Sequence, residues 1–219
     1  MGISAVIFDM DGILIDSEPL WQQAGVDYFN QIGLPVSMAD MQPMTGVPSD
    51  EVVRRFYRQY GAAALSVETA TEQYHHTATE LILQRKPLFD GVKPLLARLA
   101  QRNIKMAVAS ASPHALLQQI TEKCGIRHYF SALVSAADMP YSKPNPAVYL
   151  CAAQQLGVEP HFALGIEDSV TGMTAVKAAA MRCIVIPSVA EKDDPRWALA
   201  DYKLDSLDHI DDHFLNRLF

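Results

Sequence analysis

The chain has 219 residues, 49 % of them hydrophobic and 20 % charged, a balance that excludes a disordered chain and leaves room for an α/β core with a smaller second unit. Its net charge of −7 argues against nucleic acid, which is held by clustered Lys and Arg, but not against a small anionic substrate met by a local positive field. The scattered cysteines Cys124, Cys151 and Cys183 read as reduced, buried thiols, and with no basic leader and no run of roughly 18 apolar residues the expectation is a cytoplasmic monomer without a membrane span.

Ile3 to Phe8 is a short, β-branched apolar run ending at Asp9-Met10-Asp11-Gly12. Such a run predicts a strand buried on both faces, as in a parallel sheet. Residues 16–86 read differently, with helical stretches at Trp21–Ile32, Ser49–Tyr60 and Val67–Gln84 and no strand pattern. From Pro87 onward the text alternates. A helix over Gly91–Arg102 carries Leu95, Leu96 and Leu99 on one face, and a strand follows at Ile104–Ala109. Pro113–Cys124 is a helix with Ser112 as N-cap and proline in the first helical position. A strand at Ala132–Ser135 leads to a helix over Pro146–Leu156 closed by Gly157. Phe162–Ile166 is a strand, Val170–Met181 a helix and Cys183–Ile186 a strand. This alternation predicts a doubly wound, parallel, Rossmann-like α/β sheet. Its core is discontinuous, residues 1–15 and 87–219, with a helical unit of residues 16–86 inserted after the first strand. Ligands of such sheets bind at the carboxyl ends of the strands, and an insert leaving that end would hang over the site like a lid.

Each strand end carries a chemically useful group. The first delivers Asp9 and Asp11, the second Ser110, Ala111 and Ser112, the loop after the third Lys143, and the fourth Glu167 and Asp168. One carboxylate can attack phosphorus to form an acyl phosphate. A second acid two residues on can protonate the leaving oxygen and later deprotonate water. Asp9, Asp11 and Asp168 make an all-oxygen set that suits Mg²⁺ better than Zn²⁺, and the ion would offset repulsion between nucleophile and phosphate. Lys143 is a point charge for a phosphate oxygen, and Ser110 with the Ala111 N–H can donate to an anion at a helix N-terminus. Each residue alone has an ordinary explanation: a tight turn at Asp9–Gly12, a satisfied strand-end hydroxyl at Ser110, a solvated loop lysine at Lys143, a helix-dipole contact at Glu167 and Asp168. Those explanations would all have to hold together, in this order, for the chemistry to be accidental.

This order of residues resembles the haloacid dehalogenase superfamily, whose phosphatases carry Asp-x-Asp-Gly, then a strand-end Ser or Thr, then Lys, then an acidic pair. The segments are Phe8-Asp9-Met10-Asp11-Gly12, Val108-Ala109-Ser110-Ala111-Ser112, Ser142-Lys143-Pro144 and Gly165-Ile166-Glu167-Asp168-Ser169. The helical insert is similar to the four-helix cap of the subgroup that contains β-phosphoglucomutase. Asp16-Ser17-Glu18-Pro19-Leu20-Trp21 and Tyr141-Ser142-Lys143-Pro144 resemble its hexitol phosphatase and 2-deoxyglucose-6-phosphatase members. The resemblance implies Asp9 as nucleophile and metal ligand, Asp11 as acid/base and metal ligand through its backbone carbonyl, and Asp168 as the third ligand. It places Glu167 one shell out, and Ser110, Ala111 and Lys143 on the phosphoryl group, with Mg²⁺ as cofactor.

Asp11 is the residue that the dehalogenase branch lacks, so dehalogenation is not expected. Where β-phosphoglucomutase has a cap histidine and a phosphate-gripping arginine, this chain has Trp21 and Ser49. His75 and His76 read as solvated surface residues. A hydrolase of small sugar or sugar-alcohol phosphates is therefore expected ahead of a phosphohexomutase. A non-catalytic binding module is the remaining alternative, opposed by the complete set of catalytic residue types. Substrate choice is expected in the insert, at Trp21 and at Thr45 and Gly46 of the Met44–Val47 loop; Trp21 could equally serve in packing.

Overall fold

The computed structural model describes residues 2–45, 47–61 and 64–218. In chain order the elements are β1 (Ala5–Phe8), α1 (Glu18–Gln31), α2 (Met38–Met41), α3 (Ser49–Tyr60), α4 (Val67–Arg85), α5 (Val92–Gln101), β2 (Lys105–Ser110), α6 (His114–Lys123), β3 (Ala132–Ser135), α7 (Ala147–Leu156), β4 (Ala163–Glu167), α8 (Val170–Ala178), β5 (Arg182–Val185), β6 (Tyr202–Lys203) and α9 (Asp212–Leu218). The chain divides into two compact units: Asp16–Pro87, and the rest of the chain on either side of it.

The larger unit is an α/β core. Its strands form one sheet in the order β3-β2-β1-β4-β5-β6, every pair parallel. The apolar runs produce this because both faces are covered. Ala5, Ile7, Ala107, Ala109, Ala132 and Val134 pack with Val148, Tyr149 and Ala152 of α7 and Met173 and Val176 of α8. The alternate residues Val6, Phe8, Met106 and Val108 are equally buried on the opposite face, where Phe8 meets Phe130 edge-on. Strand order runs outward from β1 to β3 and then resumes on the other side of β1 at β4. The carboxyl ends of β1 and β4 therefore flank the topological switch point, where open α/β sheets bind ligands.

The smaller unit is helical, with α1, α2, α3 and α4. Its residues bury one stripe each: Ala24, Tyr28 and Phe29 on α1, Val52, Val53, Phe56 and Tyr57 on α3, and Ala70, Tyr74, Ala78 and Ile82 at four-residue spacing on α4. Phe29 meets Phe56 edge-on at 4.9 Å between ring centres. On the outer face of α3, Arg54 pairs with Asp50 at 3.0 Å, and Ser66 caps α4 by accepting from the Thr69 N–H at 3.1 Å.

Three expectations need correction. Ser112 does not cap α6: Pro113 is the N-cap, in extended backbone, with no side-chain cap. Cys124 and Cys183 are buried, but Cys151 is only half-buried. His76 is exposed, whereas His75 is half-buried against the edge of Trp21 at 5.5 Å, and burial holds its imidazole below the ordinary histidine pKa. No described helix is long and apolar enough to cross a membrane.

Candidate active site

The turn after β1 is closed by main-chain bonds. The Asp9 N–H donates to Ile166 O at 3.0 Å, one step beyond the strand. Met10 O then accepts from Leu14 and Ile15, and the Gly12 N–H donates to Ile15 O at 2.9 Å. Met10, between Asp9 and Asp11, is fully buried. Gly12 has φ +77°, and a Cβ there would lie 1.9 Å from Asp168 Oδ2. Only glycine meets both the left-handed backbone and the close approach.

Lys143 reaches this turn from the loop after β3. Its Nζ lies 2.9 Å from Asp9 Oδ1 and 2.6 Å from Glu167 Oε1. Tyr149, buried on α7, donates its hydroxyl to the same Glu167 oxygen at 2.5 Å, and Ser169 donates to Oε2 at 3.3 Å. Glu167 is wholly buried and fits because position 172 is glycine: a Cβ there would stand 2.0 Å from the carboxylate. Burial first, and then Glu167, pushes the Asp9 carboxyl up to about 8, against the opposing pull of Lys143. Burial, Asp9 and Glu167 likewise hold Asp168 well above the usual carboxylate range. Burial pulls the Lys143 ammonium down, but its two carboxylates outweigh that and keep it above the ordinary lysine value.

The end of β2 supplies hydroxyls. Ser110 is buried, and its Oγ accepts the Ser112 N–H at 3.0 Å. Ser112 turns its own hydroxyl to Asp11 Oδ2 at 3.0 Å. Ala111 is exposed at the same strand end.

Carboxylate oxygens of Asp9, Glu167 and Asp168 lie within 4.8 Å of one another, and the Lys143 ammonium pairs with those of Asp9 and Glu167. That excess of negative charge, the raised Asp9 pKa and the all-oxygen donor set fit a hard divalent cation. Glu167 belongs to the cluster, but Lys143 and Tyr149 already hold its Oε1.

The structure thus brings Asp9, Lys143, Glu167 and Asp168 together, with Asp11 joined through Ser112 to the Ser110 strand end. The sequence reading missed Tyr149 and the role of the Ser112 hydroxyl. Tyr149 follows Lys143 in the same loop-and-helix segment, but nothing in its spacing marks a buried partner for Glu167. In the helical unit, half-buried Trp21 packs edge-on against Tyr74 at 5.6 Å. Exposed Thr45 donates to Glu18 Oε1 at 2.5 Å and accepts from Gln22 at 3.1 Å. Gly46 lies outside the described residues.

Residues 6–186 match the family described as haloacid dehalogenase-like hydrolase. Hexitol phosphatase B of Escherichia coli (strain K12) is 42 % identical over 209 residues, covering 95 % of this chain and 94 % of that protein. Fructose-1-phosphate phosphatase YqaB of the same organism is 30 % identical over 186 residues, covering 83 % and 95 %. The crystal structure of CbbY from Rhodobacter sphaeroides in complex with phosphate aligns with a TM-score of 0.82 at 27 % identity, covering 95 % of this chain and 96 % of that one. With its acidic turn, its lysine and its sheet in that arrangement, this chain belongs to the haloacid dehalogenase-like hydrolases and is an enzyme of the family's phosphatase kind.

Proposed function

We propose that the chain is a Mg²⁺-dependent phosphatase of small sugar or sugar-alcohol phosphates, of the hexitol phosphate, hexose 6-phosphate and 2-deoxyglucose 6-phosphate type. The observation that carries this reading is the Asp9–Lys143–Glu167 chain at the switch point beside Asp168, with Asp11 two residues from Asp9. The identity to a hexitol phosphatase over nearly the whole chain supports the substrate class.

Asp9 attacks phosphorus, and the bond to the leaving oxygen breaks as an aspartyl phosphate forms. Asp11 gives its proton to that oxygen, releasing the sugar or polyol as the neutral alcohol. Asp11, now a carboxylate, takes a proton from water as the water attacks the aspartyl phosphate. Inorganic phosphate leaves and Asp9 is restored. Lys143, Ser110 and the Ala111 N–H hold the phosphoryl oxygens. Asp9, Asp168 and the Asp11 carbonyl would hold Mg²⁺, which when bound supplies positive charge against phosphate–carboxylate repulsion. Glu167 keeps Lys143 in place. These groups treat all phosphate monoesters alike, so the choice of leaving group falls to the helical unit, through Trp21, Thr45 and Gly46.

Phosphate release across sugar, polyol and nucleotide monophosphates, with Mg²⁺ and in chelator, tests the reading. Release from hexitol and hexose phosphates should need Mg²⁺ and should be poorly supported by Ca²⁺, which accepts more ligands at longer distance. Rearranged sugar phosphate in place of free phosphate would make the enzyme a mutase, and full activity in chelator would end the Mg²⁺ assignment. Asp11→Asn should cost about 10²–10⁴-fold, the usual worth of general acid–base help.

A further inference from the structure

A serine before proline at a helix start ordinarily spends its hydroxyl on the helix. Ser112 does not. Helix α6 begins without a side-chain cap, and the Ser112 hydroxyl instead crosses from the end of β2 to Asp11 Oδ2, 3.0 Å away. The residue is fixed for this. Its N–H donates to Ser110 Oγ at 3.0 Å, its carbonyl accepts the Ser135 hydroxyl at 2.8 Å, and Pro113 follows with φ −57°. Ser135, the last residue of β3, is itself buried. The ends of β2 and β3 together set the direction of one hydroxyl.

We propose that Ser112 is a positioning residue for the acid–base carboxylate. It holds Asp11 Oδ2, so that the proton is carried and delivered on Oδ1. The inference rests on the reading of Asp11 as acid and base. The torsion that turns a carboxylate about its own axis is broad and roughly two-fold, so an Asp side chain does not by itself fix which oxygen faces the leaving group. A hydroxyl donor can hold Oδ2 whether or not Oδ1 is protonated, because Oδ2 accepts in both states. One contact thus serves both halves of the cycle, the proton donation and the later proton removal. Geometry of this kind matters because proton transfer needs hydrogen-bond reach at the reacting oxygen.

The test is a set of phenyl phosphates of nearly equal shape whose leaving phenols differ in acidity: 4-nitrophenyl, phenyl and 4-methylphenyl. The constant kcat/KM reports phosphoryl transfer to the enzyme. A good leaving group needs little help from an acid and a poor one needs much. Ser112→Ala should lower kcat/KM for phenyl and 4-methylphenyl phosphate more than for 4-nitrophenyl phosphate. The ratio should shift about tenfold, the scale of one charge-assisted hydrogen bond. Ratios are taken on one preparation, so a loss of folded enzyme cancels. Ser112→Thr, which keeps a hydroxyl, should return the ratio toward the parent value. Asp11→Asn should show the same leaving-group dependence, at least as strongly. If Asp11→Asn shows it and Ser112→Ala lowers all three substrates by one factor, Ser112 is a substrate or packing contact and the proposal falls alone. If Asp11→Asn shows no such dependence, the acid–base reading of Asp11 falls and takes this inference with it.

Discussion

A carboxylate that attacks phosphorus must be ionised, and Asp9 sits where ionisation is hard. Burial, Glu167 and Asp11 raise its pKa to about 8 from 3.8, while Lys143 resists. The folded state therefore holds this proton more tightly than the unfolded state does. The associated stability is fully present below the ordinary carboxylate value and is lost as pH rises through about 8. In chelator, the wild-type melting temperature should fall across that interval more than that of Asp9→Asn, which has no proton to lose. Mg²⁺ should raise the wild-type melting temperature at the upper end, and Asp9→Asn should have no phosphatase turnover. Parallel melting profiles for the two proteins would show that Asp9 does not carry the strain. Tyr149 is a second residue-scale case. Its hydroxyl is buried against Glu167 Oε1, and Tyr149→Phe should cost about 1.5–3 kcal/mol in urea unfolding, the worth of a hydrogen bond to a charged group. A null result there would mean that Lys143 alone satisfies that oxygen.

At the scale of elements, the turn from Asp9 to Ile15 joins fold to site. Its main-chain bonds close the loop, and the bridge from Ile15 to Leu88 ties the two core segments together where the helical unit departs. Gly12→Ala would pay twice: a left-handed backbone costs an L residue about 1–2 kcal/mol, and the new methyl would stand 1.9 Å from Asp168 Oδ2. Calorimetry should show Mg²⁺ binding sharply weakened while the far-ultraviolet circular dichroism keeps its native shape. Unchanged Mg²⁺ affinity in Gly12→Ala would mean that Asp168 can move aside without loss. Helix α6 shows the opposite trade, in which an element gives up its cap and the freed hydroxyl goes to Asp11.

At the scale of the molecule, each unit has a hydrophobic core of its own, and the groups proposed to act on phosphorus all lie outside Asp16–Pro87. Chemistry and substrate choice should therefore separate under mutation. Trp21→Ala and Thr45→Val should change relative kcat/KM among hexose, hexitol and smaller phosphates, while acetyl phosphate, which offers little leaving group to read, should change much less. Trp21 also packs on Tyr74 and His75, so its variant should melt earlier, and the comparison is between substrates on the same protein. A uniform loss on every substrate would assign Trp21 and Thr45 to packing alone.

The parallel α/β order was legible because apolar strand runs and helical stretches alternate in the text, and the polar and charged residues proposed for the chemistry stand at the ends of those strands. Asp9, Asp11, Lys143, Glu167 and Asp168 are written in motifs whose local backbone is set by near neighbours. What pairs with what was not legible. Ser112 looked like a helix cap because capping is a local rule, and only the approach of β1 to β2 offers its hydroxyl a stronger acceptor in Asp11. Tyr149 belongs to the core, and the packing of α7 on the sheet also carries its hydroxyl to Glu167. The short α2 and β6 escaped because four and two residues are too few for a period to show. Local sequence fixes which groups stand at a strand end, through backbone preferences that extend only a few residues. Tertiary structure decides which of those groups share a proton, a charge or a metal, because these interactions depend on distances between atoms that lie far apart in the chain, as Asp9 and Asp168 do.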